Sequence, residues 1–378
     1  MIDVHEPAAS AAGPRAPGPR RRSDAWSLSW HGIRTVAQLE LRQRVRSTRW
    51  IVSLVVFAVI VGGVTALTWA ASRGLDPSGT LGSAMFGFIV FFVLFLGLLV
   101  SPTLSSTSIN GDRAAGTLAT LQVTLLTPAE IVLGKLLAAW VASLAFLAVS
   151  VPFILWAFAN GGTPLIAVVT TLVLLALLLA VVCAIGLGFS ALTARTAGSA
   201  VLTYVTVASL TVVSLIVFGL TMPLVSGEET VRVYQPDWAN RQSDGTQPEC
   251  VWTEEVHNVT HTERTWWLLA ANPFVIVADA APSGSADPRY GSADPLSGIR
   301  AAVRTARLGP PATRDWCTEM LYGNYADGGG GEQDARELSP VWPWGLGLNL
   351  LLGAGGIVLA VRRLSIPLAK LPRGTRVA

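Results

Sequence analysis

The sequence predicts an all-α polytopic membrane protein with six transmembrane helices. Apolar residues make up 51% of the 378 residues and charged residues only 13%, which is outside the usual range of soluble globular proteins. The mean hydropathy is correspondingly high, at +0.52. Six windows are nearly free of charge and reach the ~20 residues that a bilayer core of roughly 30 Å requires. We place the spans at 50–71, 81–105, 131–159, 165–192, 197–225 and 344–361.

The distribution of basic residues predicts that both ends of the chain are cytosolic. Residues 1–49 contain nine Lys/Arg against four Asp/Glu, and residues 362–378 contain five against none. By the positive-inside rule both segments face the cytosol, which an even number of spans requires. Because these arginines flank membrane spans, a nucleic-acid partner is not needed to explain them. We expect a disordered cytosolic tail over 1–24 and a basic cytosolic tail over 362–378, in a protein of the plasma membrane.

Residues 25–49 predict an amphipathic elbow helix ahead of the first span. If this segment is helical, its arginines at 42, 46 and 49 gather on one side, and its apolar residues recur at three- and four-residue steps on the other. A basic helix with tryptophans is typical of the membrane surface, with a soluble juxtamembrane helix as the alternative. The apolar side consists of Trp26, Trp30, Ile33, Ala37, Leu41 and Val45.

The polar segment between spans 2 and 3 reads NGDRAAGTLATLQVTLLTPAEIVLGK, over 110–135. We predict a short amphipathic helix over 112–127 that the carboxylate of Asp112 caps and Pro128 ends. Gly116 costs about 1 kcal/mol relative to alanine inside a helix, so we interpret it as a place where another backbone comes close. One stripe of this helix is Leu118, Leu121 and Leu125, and the neighbouring stripe is Thr117, Thr120, Thr124 and Thr127.

Span 3 follows directly from this segment. Glu130 lies near the N-terminus of the span, where a negative charge is favourable, and we expect Lys135 to extend back to the lipid head groups. Gly134 and Lys135 do not form a phosphate-binding loop, because position 129 is alanine where that motif requires glycine. We therefore expect no ATP site in this chain.

The order of these residues, G-D-R-x-x-G-T-L-x-x-L-x-x-x-x-x-T-P-x-E-I-x-x-G-K, resembles the ABC-2 family of transporter permeases. In that family the acidic-Arg-x-x-Gly-Thr-Leu run forms a cytosolic coupling helix against an ATPase subunit, and the Gly-Lys pair opens the third span. The resemblance implies ATPase coupling by Asp112, Arg113, Gly116, Thr117, Leu118, Leu121, Leu125, Thr127 and Pro128. It further implies span-3 entry at Glu130, Gly134 and Lys135, and a second cytosolic loop containing Thr193 and Arg195.

The resemblance also implies the partners of this chain. A P-loop ABC ATPase subunit would bind ATP and magnesium, so the chain itself would be no enzyme and would hold no cofactor. Six spans form half of a translocation path in this family, so a second permease copy or a paralogue is expected in the bilayer. Export is the implied direction. A membrane-embedded sensor or assembly protein and an ion-coupled carrier remain alternatives, although the spans lack the central charges typical of the latter.

The loop over 226–343 predicts a small, partly ordered extracytoplasmic domain. It contains nine Lys/Arg and seventeen Asp/Glu, a net charge of −8, and it is too long for a simple connection. An apolar patch over 266–278 is too short to span, and we expect it on or in the outer leaflet.

Two pairs of side chains in this loop have several possible roles. Cys250 and Cys317 face an oxidising compartment and form a possible disulfide, unless the fold holds them too far apart. His257 and His261 would offer two imidazoles to a metal ion if their segment were helical. Since no third ligand is evident, we interpret that segment as a solvated polar loop and expect no metal.

Overall fold

The computed structural model describes residues 25–72, 81–117, 126–237, 248–282, 295–311, 313–317 and 339–365. Six helices in this part of the chain are long and apolar enough to cross a membrane. The predicted fold class and the number of spans are thus confirmed. The spans are Thr48–Ser72, Leu81–Ser105, Pro128–Ala159, Leu165–Leu192, Thr196–Thr221 (interrupted by a π-helical turn, Ser209–Val213) and Trp342–Leu364.

Spans 2, 3 and 4 form most of the bundle core. Half of the apolar window of spans 2 and 4 is buried, against 17% in span 1. Met85 and Ile89 of span 2 and Leu175 and Leu178 of span 4 are at most 1% exposed. Span 1 is therefore peripheral, and its apolar residues face outward as lipid-facing residues do.

Small residues bring spans 4 and 6 into backbone contact. A Cβ atom built on Gly188 would lie 2.7 Å from Cα of Gly356, and one built on Gly356 would lie 2.5 Å from the carbonyl oxygen of Ala184. Helices in lipid associate through such close packing, because no hydrophobic driving force acts between them. These glycines therefore set the distance between spans 4 and 6.

An N-terminal helix, α1 (Trp30–Val45), packs against the beginning of span 3. Ser29 caps it, and its buried side consists of Gly32, Ile33, Val36 and Ala37. Of the apolar side that the sequence predicts, Ile33 and Ala37 are buried in the protein, whereas Trp30 and Val45 are 69% and 57% exposed. Gly134 decides the orientation of the helix, because a Cβ there would meet Val36 at 2.6 Å. We call the end of the bundle where α1 lies the α1 face.

On the α1 face, span 2 continues as a turn and a short helix, α2 (Asn110–Ala114). The last turns of spans 4 and 6 pack against the start of span 3 at the same face. This cluster contains Ile109, Ile131, Val132, Leu187, Ala191, Val361 and Leu364. The connections between spans 2 and 3 and between spans 4 and 5 therefore lie together.

A three-stranded sheet forms at the opposite end of the bundle. Strand β1 (Ser226–Pro236) pairs antiparallel with β2 (Cys250–Thr260) over their whole length, and parallel with the short β3 (Thr313–Asp315). Val231 and Val233 lie two residues apart in β1, so both face one side, where they are buried with Val259 and Trp316. The expected small domain thus contains strands that the all-α prediction omits.

The same sheet decides the roles of the histidines and cysteines. His257 lies in β2 directly opposite Glu229, so its segment is a strand and not the solvated polar loop that the sequence analysis expects. His261 contacts Glu263 at 2.8 Å and Glu229 at 3.0 Å. Within the described residues, no group of three or more His, Cys, Asp or Glu could hold a metal ion. Cys250 and Cys317 form a disulfide with their Cα atoms 6.1 Å apart.

The apolar patch 266–278 packs into the bundle. It forms α3 (Trp267–Ala270) and α4 (Pro273–Ala280), and residues 275–279 of α4 are buried. Residues 275–279 therefore face the interior of the bundle and not lipid, and polar contacts hold them there. Asn272 donates from Nδ2 to the carbonyl of Thr211, 2.7 Å away in the π-helical turn of span 5. That turn has carbonyls free to accept such a bond.

The first residues of span 6 are held by a carboxylate from α4. Asp279 is buried, and its Oδ2 atom accepts from the backbone N–H groups of Val341 and Trp342 at 2.6 and 2.7 Å. Its Oδ1 atom accepts from Arg304 at 2.6 Å, and Arg304 lies in α5 (Pro295–Leu308). A negative charge at a helix N-terminus is favourable, so Asp279 stabilises span 6 and ties α5 to it.

Candidate functional site at the connection between spans 2 and 3

Asp112 does not cap a helix, contrary to the sequence prediction. The N-cap of α2 is Ile109, which makes no side-chain cap bond, and Asp112 lies inside the first turn. The helix begins earlier than predicted because it continues span 2 through backbone hydrogen bonds, such as Gly111 N to Thr107 O. The carboxylate of Asp112 is therefore left for another partner.

Gly116 is needed for its backbone conformation. It has φ = +73°, in the left-handed region, and a Cβ built there would meet nothing within 4 Å. The close backbone approach that we inferred from the sequence is therefore wrong within the described residues. Because glycine adopts this region at little cost, it ends α2 and redirects the chain. Residues 118–125, including Leu118, Leu121 and Leu125, lie outside the described part of the chain.

Lys135 is the buried centre of a charge network. Its side chain is 1% exposed, and Nζ contacts Oε1 of Glu40 in α1 and Oδ2 of Asp112, the latter at 2.5 Å. The prediction that Lys135 extends to the lipid head groups is thus wrong. A buried ammonium group is stable only when it is paired and hydrogen-bonded, and two carboxylates from different elements provide those partners here.

Arg44 completes this network on α1. It lies 4.0 Å from Oε2 of Glu40, and its Nη2 atom donates to the carbonyl of Leu104 at 2.9 Å, near the end of span 2. Burial lowers the pKa of the Arg44 guanidinium, while the carboxylate of Glu40 opposes that change. The group stays protonated, since its ordinary pKa is far above neutrality. The charge network, defined as Glu40, Arg44, Asp112 and Lys135, therefore has two positive and two negative charges.

Asn110 joins the connection between spans 2 and 3 to that between spans 4 and 5. The residue is buried; Nδ2 donates to Oγ of Ser199 at 2.7 Å and to the carbonyl of Arg195 and Oγ1 of Thr193 at 3.3 Å. Its Oδ1 accepts from Ser190 at 3.1 Å. The sequence predicts that Thr193 and Arg195 lie in the second cytosolic loop, but it assigns no role to Asn110. The partners of Asn110 are far from it in the chain, and a local helical pattern does not indicate them.

Thr127, Pro128 and Glu130 form the other anchor. Thr127 and Glu130 make a reciprocal capping box, and Pro128 is the first residue of span 3. Proline is favoured at this first helical position, where its missing N–H is no loss. Most of the helix that Pro128 is predicted to end lies outside the described residues, so that prediction stays a prediction. Thr127 also donates to the carbonyl of Ser27, and Oε1 of Glu130 accepts from the N–H of Ser29, both at 2.7 Å.

Residues 118–125 are thus bounded by two anchors. Asn110 and Asp112 precede them. Asn110 binds the connection between spans 4 and 5, and Asp112 binds Lys135 in span 3. Thr127 and Glu130 follow them and hold the chain just before α1. Thr117 donates to the backbone of Asp112 at 3.3 Å, whereas Arg113 makes no ion pair with any described residue. A displacement of 118–125 would therefore act on α1 and on spans 2, 3, 4 and 5.

A comparison with protein families identifies the class of this membrane protein. The sequence model described as ABC-2 family transporter protein matches residues 34–261, more than half of the chain. The chain belongs to the ABC-2 transporter family. The matched residues of this ABC-2 protein include the charge network, Asn110 with its partners and both long strands of the sheet. No curated protein matches the chain with significant similarity.

Proposed function

We propose that this ABC-2 protein is the permease subunit of an ABC transporter that exports a substrate across the plasma membrane. A separate P-loop ATPase subunit binds ATP and magnesium and supplies the energy. The observation that carries the proposal is the anchoring of 118–125 at both ends by buried polar groups. Such a segment is suited to receive a movement from a soluble partner and to pass it to several spans.

In this mechanism the ATPase binds residues 118–125 together with Arg113 of α2. Arg113 makes no ion pair among the described residues. Closure of the ATPase on ATP displaces the segment. Lys135 transmits the displacement from Asp112 to Glu40 and thus to α1, while Asn110 transmits it to the loop between spans 4 and 5. A partner that contacts the segment differently in its two nucleotide states biases the spans toward one arrangement.

A second permease copy or a paralogue completes the translocation path. Spans 1 and 5 have the lowest buried share of the six spans, at 17% and 28%. Each therefore presents a long apolar face to lipid or to another permease. The basic residues at both ends of the chain support an orientation with the α1 face in the cytosol.

Copurification of the wild-type protein and of a charge-reversal variant tests the proposal. The tagged protein, solubilised from its native membrane, should copurify with a protein that contains a P-loop and has ATPase activity. Arg113→Glu should abolish this association. Arg362→Glu is the matched control, because Arg362 is an exposed arginine at the end of span 6 and is not part of the connection between spans 2 and 3.

Three outcomes would contradict the proposal. Equal ATPase recovery with both variants would place the contact elsewhere on the protein. The absence of any P-loop protein and of ATP hydrolysis would favour the membrane-embedded sensor or assembly protein. Substrate movement by the purified chain under an ion gradient without ATP would establish the ion-coupled carrier.

A further inference from the structure

A polar groove opens on the α1 face beside the charge network. It has a volume of about 460 Å³ and lies between the end of α1, the first turn of span 1 and the end of span 2. Its polar lining includes Arg44, Ser47, Arg49, Ser53, Thr103 and Thr107. The groove is separate from the two anchors of residues 118–125, although it shares Arg44 and Glu40 with the charge network.

The charges of the groove favour an anion. Glu40 also lines it, but the buried Lys135 contacts that carboxylate and offsets its charge. Because the four residues of the charge network balance one another, Arg49 leaves an excess of positive charge at the groove. Nη1 of Arg44 is buried and has no hydrogen-bond partner in the described part of the chain, while Nη2 is bound to Leu104. A small shift of the Arg44 side chain toward the groove would let a phosphate oxygen accept from that unpaired donor, in a charge-assisted hydrogen bond.

The surroundings of the groove favour a lipid as the source of the phosphate. Trp50 lines the groove, and tryptophan is enriched where a membrane meets water. The next residues of span 1 begin its outward apolar face: Ile51, Val52 and Val55 are 56%, 54% and 56% exposed. A molecule with a phosphate head and acyl chains would contact the groove and this face together, whereas a free anion would use only the first.

We propose that this groove binds the head group of an anionic phospholipid, with Arg44 and Arg49 as its cations. The bound head group bridges α1 and the end of span 2, the two elements that Arg44 already joins through its hydrogen bond to the carbonyl of Leu104. Occupancy therefore stiffens the joint through which α1 meets the charge network. Only the assignment to the cytosolic leaflet rests on the proposed function, since the groove itself does not depend on orientation or on an ATPase.

Lipid titration of the purified full-length protein in detergent, followed by native mass spectrometry, tests the site. The probes are phosphatidylglycerol, phosphatidylcholine and inorganic phosphate. Arg49→Gln should weaken phosphatidylglycerol binding about fivefold, the effect of one basic residue near a membrane surface. Thr103→Trp should weaken it at least as much, because the indole occupies the groove without changing charge. Arg42→Gln, an exposed arginine of α1 outside the groove, should leave binding unchanged.

Each other outcome overturns part of the proposal. Equal losses in Arg42→Gln and Arg49→Gln would show general electrostatic attraction and no specific site. Phosphatidylcholine that binds as tightly as phosphatidylglycerol would exclude selection for an anionic lipid. Inorganic phosphate that binds equally tightly, and is lost in the same variants, would establish a free-anion site. Because Arg49 is exposed, Arg49→Gln tests the site even if Thr103→Trp fails to fold.

Discussion

Nζ of Lys135 lies 2.5 Å from Oδ2 of Asp112, so a buried ion pair joins the helix that follows span 2 to the interior of span 3. The two residues are separated by the whole connection that includes 118–125. Their contact therefore fixes α2, where the connection begins, against span 3, where the connection ends. Five predictions follow from this site and from the packing around it.

Lys135→Met should lower the free energy of unfolding by about 3–5 kcal/mol, because it leaves two partly buried carboxylates without their cation. Equilibrium unfolding in mixed micelles measures the change. Lys135→Arg keeps the charge and should lose less stability. A Lys135→Met protein as stable as the wild type would show that the network carries no stabilising charge interaction.

Gly116→Val should destabilise the protein by about 1–2 kcal/mol because a branched residue must adopt φ = +73°. Gly116→Asn should be tolerated better, since asparagine visits this region more readily. Among the described residues a Cβ meets nothing within 4 Å here, so the order of stability should follow conformational preference and ignore side-chain size. If Gly116→Asn were the less stable of the two, the backbone explanation would be wrong.

Asn110→Ala should loosen the connection between spans 4 and 5. The variant leaves Ser199 and the carbonyl of Arg195 without their amide partner, at a cost of about 1–3 kcal/mol. Hydrogen exchange should accelerate over 193–199 and remain unchanged in span 1, which serves as the internal control. Uniform acceleration across both regions would indicate global destabilisation and contradict a local role.

Gly188→Ala should separate spans 4 and 6, because the added methyl group would lie 2.7 Å from Cα of Gly356 and neither backbone can yield easily. Gly347→Ala, in span 6, is the control, since a Cβ there meets nothing within 4 Å. Thermal unfolding followed by fluorescence should show a lower midpoint for the first variant alone. Equal midpoints would mean that the two helices can move apart at little cost.

Reduction of the disulfide between Cys250 and Cys317 should loosen the sheet domain and leave the bundle folded. The bridge closes a loop with a sequence separation of 67 residues, for which a stabilisation of about 4 kcal/mol is typical of chain-entropy estimates. Limited proteolysis should then cut within 226–339 after reduction, while the spans stay protected. Cys183→Ser is the thiol control, because Cys183 is free and buried. Unchanged cleavage after reduction would show that the sheet is stable without the bridge.

Some features of the site could be predicted from the local sequence, and others depended on residues distant in the chain. Polar character predicts the connection between spans 2 and 3, and the residue order there resembles that of the family to which the chain belongs. The roles predicted for Asp112 and Lys135 were wrong, and span 3 begins at Pro128, for one shared reason. A carboxylate, a proline or a lysine near a helix end has several local uses, and the choice depends on what lies beside it. For Lys135 the decisive partner is Glu40, 95 residues earlier in the chain.

The sequence by itself determined the number of spans and the membrane class, because crossing a bilayer requires about 20 consecutive apolar residues and that requirement is satisfied locally. Only the tertiary structure decided which face of α1 is buried, which groups pair with Lys135 and Asn110, and that residues 254–260 form a strand. Each of these depends on contacts between residues distant in sequence. A buried charge or amide takes whichever partner the packing provides, since leaving it unpaired costs more than any local preference.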